Sequence, residues 1–201
     1  MRKLIVAEFM SIDGVIQAPG SREEDTSGGF LYGGWVTASF DEATGQAIDE
    51  LHSQPFELLL GRNTYDIWAP YWPHVPPDSE SRTMADLFNR VPKHVVTHRP
   101  DTLDWSNSHA LAGDLVGAVR ALKDQSGADL LTWGSGETVR QLLAAGLVDE
   151  LRLQIHPVVL GCGKRLFGTD AEAAAFTLED SVVTSSGVLI TRYVRSGEVR
   201  T

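Results

Sequence analysis

The sequence has a single cysteine, Cys162, among its 201 residues. One thiol cannot close an internal disulfide or build a thiolate metal site, so the expected compartment is the reducing cytoplasm. Positive charge is also scarce: 17 Lys and Arg stand against 27 Asp and Glu, a formal net charge of −10. Such a balance disfavours a broad nucleic-acid or anionic-membrane surface, yet leaves room for a local basic pocket. No apolar run is long enough to cross a bilayer. Arg2 and Lys3 lead straight into a strand-like run, without the separate apolar segment and cleavage site of a signal peptide. No linker, repeat or low-complexity tract interrupts the chain, which is expected to form one domain over residues 1–201.

What the chain does have is an ordinary apolar content of 42%, enough for a substantial core. The stretch from Leu130 to Gly146 organises it. Leu130 and Leu131 read as the end of a buried strand. Gly134, Ser135 and Gly136 read as a turn, because glycine tolerates backbone angles a side chain forbids. Thr138, Val139, Leu142, Leu143 and Ala145 recur at helical spacing, and Gly146 stands where a helix stops. A turn of this kind leaves free N–H groups at the positive end of a helix, a natural seat for a phosphate. A tight strand-to-helix connection with no ligand is the plainer alternative.

Two further turns have similar chemistry. Phe56-Glu57-Leu58-Leu59-Leu60 is a strand followed by Gly61-Arg62-Asn63-Thr64-Tyr65, which opens a short helix with a cation and a hydroxyl at its start. Lys93 to Thr97 is a strand closed by His98, Arg99 and Pro100, at the kind of strand edge where open α/β sheets bind ligands. Leu4 to Met10 is the first strand, and Ser11-Ile12-Asp13-Gly14 turns away from it. Glu8 lies inside that apolar run, where a carboxylate needs a partner or a raised pKa. An edge position facing water is the alternative. Residues 17–34 read as a long loop anchored by Phe30, Tyr32 and Trp35. Residues 40–53 read as a helix with Asp41 at its start. The segment 157–163 reads as a continuation of the strand 150–155 into a glycine-rich turn. Residues 176–183 and 188–194 read as a terminal antiparallel hairpin. Alternating strands and helices predict an α/β fold: a mostly parallel twisted sheet with helices on both faces and that hairpin at its edge.

The ordered turns Leu60-Gly61-Arg62-Asn63-Thr64-Tyr65, Thr97-His98-Arg99 and Trp133-Gly134-Ser135-Gly136-Glu137, with Ser11-Ile12-Asp13-Gly14 ahead of them, resemble the dihydrofolate reductase fold. They look most like its bacterial branch related to the reductase domain of riboflavin biosynthesis. The resemblance runs from Leu4 to Tyr193 and implies an NADPH-dependent reductase that transfers a hydride to a small pteridine- or pyrimidine-like heterocycle or a carbonyl. It places Gly61, Arg62 and Thr64 on the cofactor phosphates, and Thr97, His98 and Arg99 beside the ribose phosphate. It places Gly134, Ser135 and Gly136 under the pyrophosphate, with Glu137 and Thr138 beginning the helix. Ala7, Phe9 and Ile16 border the nicotinamide, and Trp133 stands at the pocket wall in place of a smaller aliphatic residue. Asp41 or Glu8 would supply or relay the proton. The resemblance also implies a homodimer. With one cysteine and no His-x-Glu, these residues hold none of the zinc deaminase that accompanies the riboflavin-pathway reductase. A nucleotide-binding or sensing module without turnover is the alternative from another class.

Overall fold

The structure is a computed structural model and describes residues 1–168 and 171–199. Its centre is one eight-stranded sheet. The strands are β1 (Leu4–Ser11), β2 (Phe56–Gly61), β3 (Lys93–Val96), β4 (Ser108–Leu111), β5 (Asp129–Trp133), β6 (Glu150–His156), β7 (Ala175–Val183) and β8 (Leu189–Gly197). They lie in the order β4-β3-β2-β5-β1-β6-β8-β7. The first six are mutually parallel; β8 runs antiparallel to β6 and to β7. The helices are α1 (Glu42–His52), α2 (Arg62–Trp68), α3 (Arg82–Arg90), α4 (Leu115–Asp124) and α5 (Gly136–Ala144). None is long and apolar enough to cross a membrane among the described residues.

The central strands are apolar on both faces because helices cover both. In β2, Leu59 packs into a core with Leu4, Val6, Val119, Val139 and Leu142, beneath α4 and α5. Leu58 and Leu60, on the opposite face, join Ala7, Tyr65, Phe88, Leu131 and Trp133 beneath α2 and α3. Leu59 is fully buried, and its truncation to alanine costs about 2–5 kcal/mol.

The helix starts follow from sequence. Asp41 caps α1 in a capping box: its carboxylate accepts from the Thr44 N–H at 3.1 Å, and its own N–H donates to Thr44 Oγ1 at 2.8 Å. Asp114 accepts from the N–H groups of Val116 and Gly117 and starts α4. Gly146, at φ 68°, ends α5 in the left-handed region.

Two local expectations are corrected, and one strand was not anticipated. Strand β4 lies in a stretch that carried no strand signal; its sequence Ser-His-Ala-Leu has little apolar character, and it pairs only with β3 at the sheet's edge. The strand after Glu150 ends at His156, and residues 157–163 leave the sheet, since Pro157 has no N–H to give a ladder. Of the three aromatic anchors expected for the 17–34 loop, Phe30 is buried, but Tyr32 is 53% exposed.

Candidate functional site

The three turns meet because β3, β2 and β5 are adjacent parallel strands, and each turn follows the carboxyl end of one of them. The Gly134-Ser135-Gly136 turn packs directly on α2. The Ser135 N–H donates to Thr64 Oγ1 at 2.9 Å, and the Gly61 N–H donates to Ser135 Oγ at 2.9 Å. Ser135 Oγ also donates to the Trp133 carbonyl at 3.0 Å. These bonds hold Ser135, which is not glycine, at φ 56°, a conformation that persists only where its surroundings impose it. Gly134 lies at φ +58°, and a Cβ there would stand 2.9 Å from Thr64 Oγ1. At Gly61 a Cβ would stand 2.9 Å from Thr138 Oγ1. The glycines thus permit a backbone approach that no side chain allows. The first N–H groups of α5, from Gly136 to Thr138, have no partner within the helix and face this edge.

A cavity of about 600 Å³ opens here. Its lining includes Arg62, Asn63, Thr64 and the glycine turn together with the aromatic rings of Phe9, Trp68, Trp72 and Trp133. Phe9 and Trp133 lie 5.2 Å apart, and Trp133 stacks on His52 at 5.9 Å while its indole N–H donates to His52 Nε2 at 3.3 Å. Burial lowers the His52 pKa, which keeps that ring a neutral acceptor. Ile16, the 17–34 loop with Gln17, Glu24 and Asp25, and Lys164 complete the lining. Asp25 and Lys164 are 2.6 Å apart. Burial alone would raise Asp25, but the Lys164 ammonium and Ser27 hold it below the usual carboxylate range.

Each expected residue has a definite place. Arg62 is tied rather than free. Its guanidinium meets Asp66 at 2.7 Å, Thr97 Oγ1 at 3.3 Å, the Arg99 carbonyl at 3.2 Å and Thr102 Oγ1 at 2.7 Å. Thr97 and Arg99 therefore belong to the Arg62 network beside the cavity, while His98 is exposed. Arg99 reaches Asp66 at 3.1 Å with its side chain 61% exposed. Asp66, which sequence reasoning missed, neutralises part of both arginines, and its own pKa is lowered by the Arg62 guanidinium. Glu137, exposed at the cavity rim, pairs with Arg140 and Gln141, so its charge is partly neutralised there. Ala7 is wholly buried in the core and Thr138 packs behind Gly61.

The two candidate acids separate. Asp41 does not line the cavity. Beyond capping α1, it accepts from the Ser186 N–H at 3.1 Å and Oγ at 2.9 Å, fixing α1 to the turn between β7 and β8. Burial is the largest single influence and raises it, but the Thr44 and Ser186 donors together hold its pKa well below the usual carboxylate range. The carboxylate expected to relay a proton is thus engaged by the α1 cap and the Ser186 turn. Glu8 does line the cavity and is 3% exposed. Burial pushes its pKa well above the ordinary value, against a Gly134 backbone interaction that lowers it. His156, also missed, is fully buried 5.8 Å from Phe9, and its Nδ1 meets Ser39 Oγ at 2.8 Å. No sequence signal distinguished it from a strand residue.

A parallel sheet with a glycine turn, paired helix starts and a cleft at the strands' carboxyl ends defines the class, a dihydrofolate reductase-like α/β protein. The chain belongs to the RibD C-terminal domain family, whose model matches residues 2–190. A protein of Bacillus subtilis (strain 168) called YyaP, itself uncharacterised, is 31% identical over 189 residues, covering 94% of this chain and 92% of its own. Solved structures of other proteins share the fold. A putative riboflavin biosynthesis protein from Shewanella sp. PV-4 superposes with a TM-score of 0.63 at 22% identity, covering 98% of this chain and 99% of that one. A pyrimidine reductase-like protein from Corynebacterium diphtheriae gives 0.60 at 17% identity, with 100% and 93% covered. Dihydrofolate reductase from Enterococcus faecalis, complexed with NADP(H) and RAB-propyl, gives 0.58 at 16% identity, with 96% of each chain covered.

Proposed function

We propose that this protein is an NADPH-dependent reductase acting on a small heterocycle of pteridine or pyrimidine type, or on a carbonyl. One observation carries the reading: a single cavity is lined both by a phosphate-competent surface, built by α2, α5 and the glycine turn, and by the aromatic rings of Phe9, Trp68, Trp72 and Trp133. The residues fit a dinucleotide. The glycine cradle leaves no room for a Cβ, and the helix starts supply donors for a diphosphate. Arg62, Thr64, Ser135 and Gly136 would hold the phosphates, with Arg99 and Thr97 nearer the ribose. A bound nicotinamide supplies the hydride. The chain's own contribution is to align two rings along the aromatic wall and to keep water out. Glu8 is the acid this cavity offers for a proton.

The test is turnover. Purified protein with NADPH and a panel of pteridines, aminopyrimidines and small carbonyls is followed by loss of the reduced-nicotinamide absorbance. Substrate-dependent oxidation is expected. Saturable NADPH binding with no oxidation by any member would favour a sensing module, a reading supported by the diversion of Asp41 to helix capping. A homodimer belongs to the same proposal. Strand β7 leaves one edge unpaired, with Leu178, Val182 and Val183 exposed. Light scattering that finds only a monomer of 21.9 kDa would remove it.

A further inference from the structure

The carboxyl of Glu8 is buried within the central strand β1. The register pairs Ala7 with Trp133, which sets Glu8 level with Gly134 at the root of the glycine turn. Alternation along β1 puts it on the face of Val6, beneath α5. Its Oε1 is buried and has no hydrogen-bond partner among the described residues.

The charged groups around the cavity are all engaged elsewhere. From α2, Arg62 pairs with Asp66; from α5, Arg140 pairs with Glu137; from the segment after β6, Lys164 pairs with Asp25. The 17–34 loop adds Glu24, a second carboxyl, whose negative charge disfavours ionisation of Glu8 further. An isolated buried carboxylate without a cation is strongly disfavoured, so the group neutralises. A neutral carboxylic acid is a hydrogen-bond donor, and the Oε1 of this one meets no partner among the described residues.

We propose that Glu8 is a protonated acid that donates its O–H to an acceptor oxygen of the dinucleotide in this cavity, so that cofactor binding holds a proton at Glu8. The inference rests on the reductase reading above. An anionic ligand set against a neutral acid binds well, and the same ligand set against a carboxylate is repelled. Binding therefore weakens once Glu8 ionises.

The experiment is a fluorescence titration of the full chain with NADPH, and with NADH in parallel, from about pH 5 to about pH 9. NADH serves because the ribose phosphate of NADPH itself titrates near neutral pH. For the wild type, the dissociation constant of both is expected to be flat at low pH. It then rises, by up to about tenfold per unit, above the folded pKa of Glu8. Glu8→Gln retains an N–H donor and cannot ionise, so its profile is expected to lose that rise. Glu24→Gln removes the neighbouring charge, which eases ionisation of Glu8, and should move the rise to lower pH without changing its slope. Should Glu8→Gln fail to fold, calorimetry of wild-type protein in buffers of differing ionisation enthalpy reads the same coupling as proton uptake, approaching about one per site above the inflection. Identical profiles for wild type and Glu8→Gln, or no proton uptake, overturn this inference alone. Wild-type protein that binds neither nucleotide at any pH overturns the reductase reading as well.

Discussion

Replacing Gly134 with alanine attacks the joint between the turn and α2. Two penalties add. Gly134 sits at φ +58°, and the left-handed region costs a non-glycine residue about 1–2 kcal/mol. The new Cβ would also stand 2.9 Å from Thr64 Oγ1, which is the acceptor for the Ser135 N–H. Moving Thr64 aside stretches that bond, and a lost hydrogen bond is worth about 0.5–1.5 kcal/mol, more where a donor is left buried. The expected total is about 2–4 kcal/mol. Gly14→Ala is the control, since Gly14 has φ +82° but nothing within 4 Å of its Cβ position. It should bear the backbone penalty alone, about 1–2 kcal/mol. Urea unfolding of both variants measures the difference. Gly134→Ala no more destabilising than Gly14→Ala would refute the argument that Thr64 and the turn are in close contact.

Other outcomes follow from the same geometry. Arg62→Ala should weaken NADPH binding by about 1.5–3 kcal/mol if the guanidinium meets a phosphate, and unchanged affinity by fluorescence titration would remove it from the site. Arg99→Ala should reduce the preference for NADPH over NADH, whereas equal losses for both would place it away from the ribose phosphate. Asp41→Ala should lower the melting temperature, by loss of the α1 cap and the Ser186 contacts, and leave NADPH affinity unchanged; impaired binding would return Asp41 to the site. Stability should also depend on pH in two opposed ways. The raised pKa of Glu8 contributes stability that is present below its unfolded pKa and lost as pH rises through its folded one. His52 and His156 are held neutral by burial, so acidification below their unfolded pKa near 6.5 destabilises the fold. The stability gain of Glu8→Gln over wild type should thus be larger at about pH 8 than at about pH 5, and melting curves that show no such trend would contradict a neutral Glu8.

Much of the architecture was legible because parallel strands covered on both faces must be apolar throughout. Leu58-Leu59-Leu60 and Leu130-Leu131 announce themselves, as does the glycine turn before α5. The edge was not legible: β4 is polar and short, and only its pairing with β3 makes it a strand. The site was legible as chemistry but not as wiring. Arg62 and Thr97 are separated by 35 positions and share one hydrogen bond, while Asp66, one helical turn from Arg62, reaches Arg99 only through the fold. Asp41 and Glu8 were indistinguishable as candidate acids, since a capping box and an unpaired buried oxygen differ only in what surrounds the carboxyl.

The central claim is that a nicotinamide dinucleotide occupies the cavity between Arg62 and Trp133. The most direct measurement is an equilibrium titration of the protein with NADPH and NADH, followed by tryptophan fluorescence, with Trp133→Phe as the reporter control. Saturable quenching with tighter binding of NADPH, diminished in Trp133→Phe, is the predicted result. No change with either nucleotide would contradict the account and leave the three turns as structure alone.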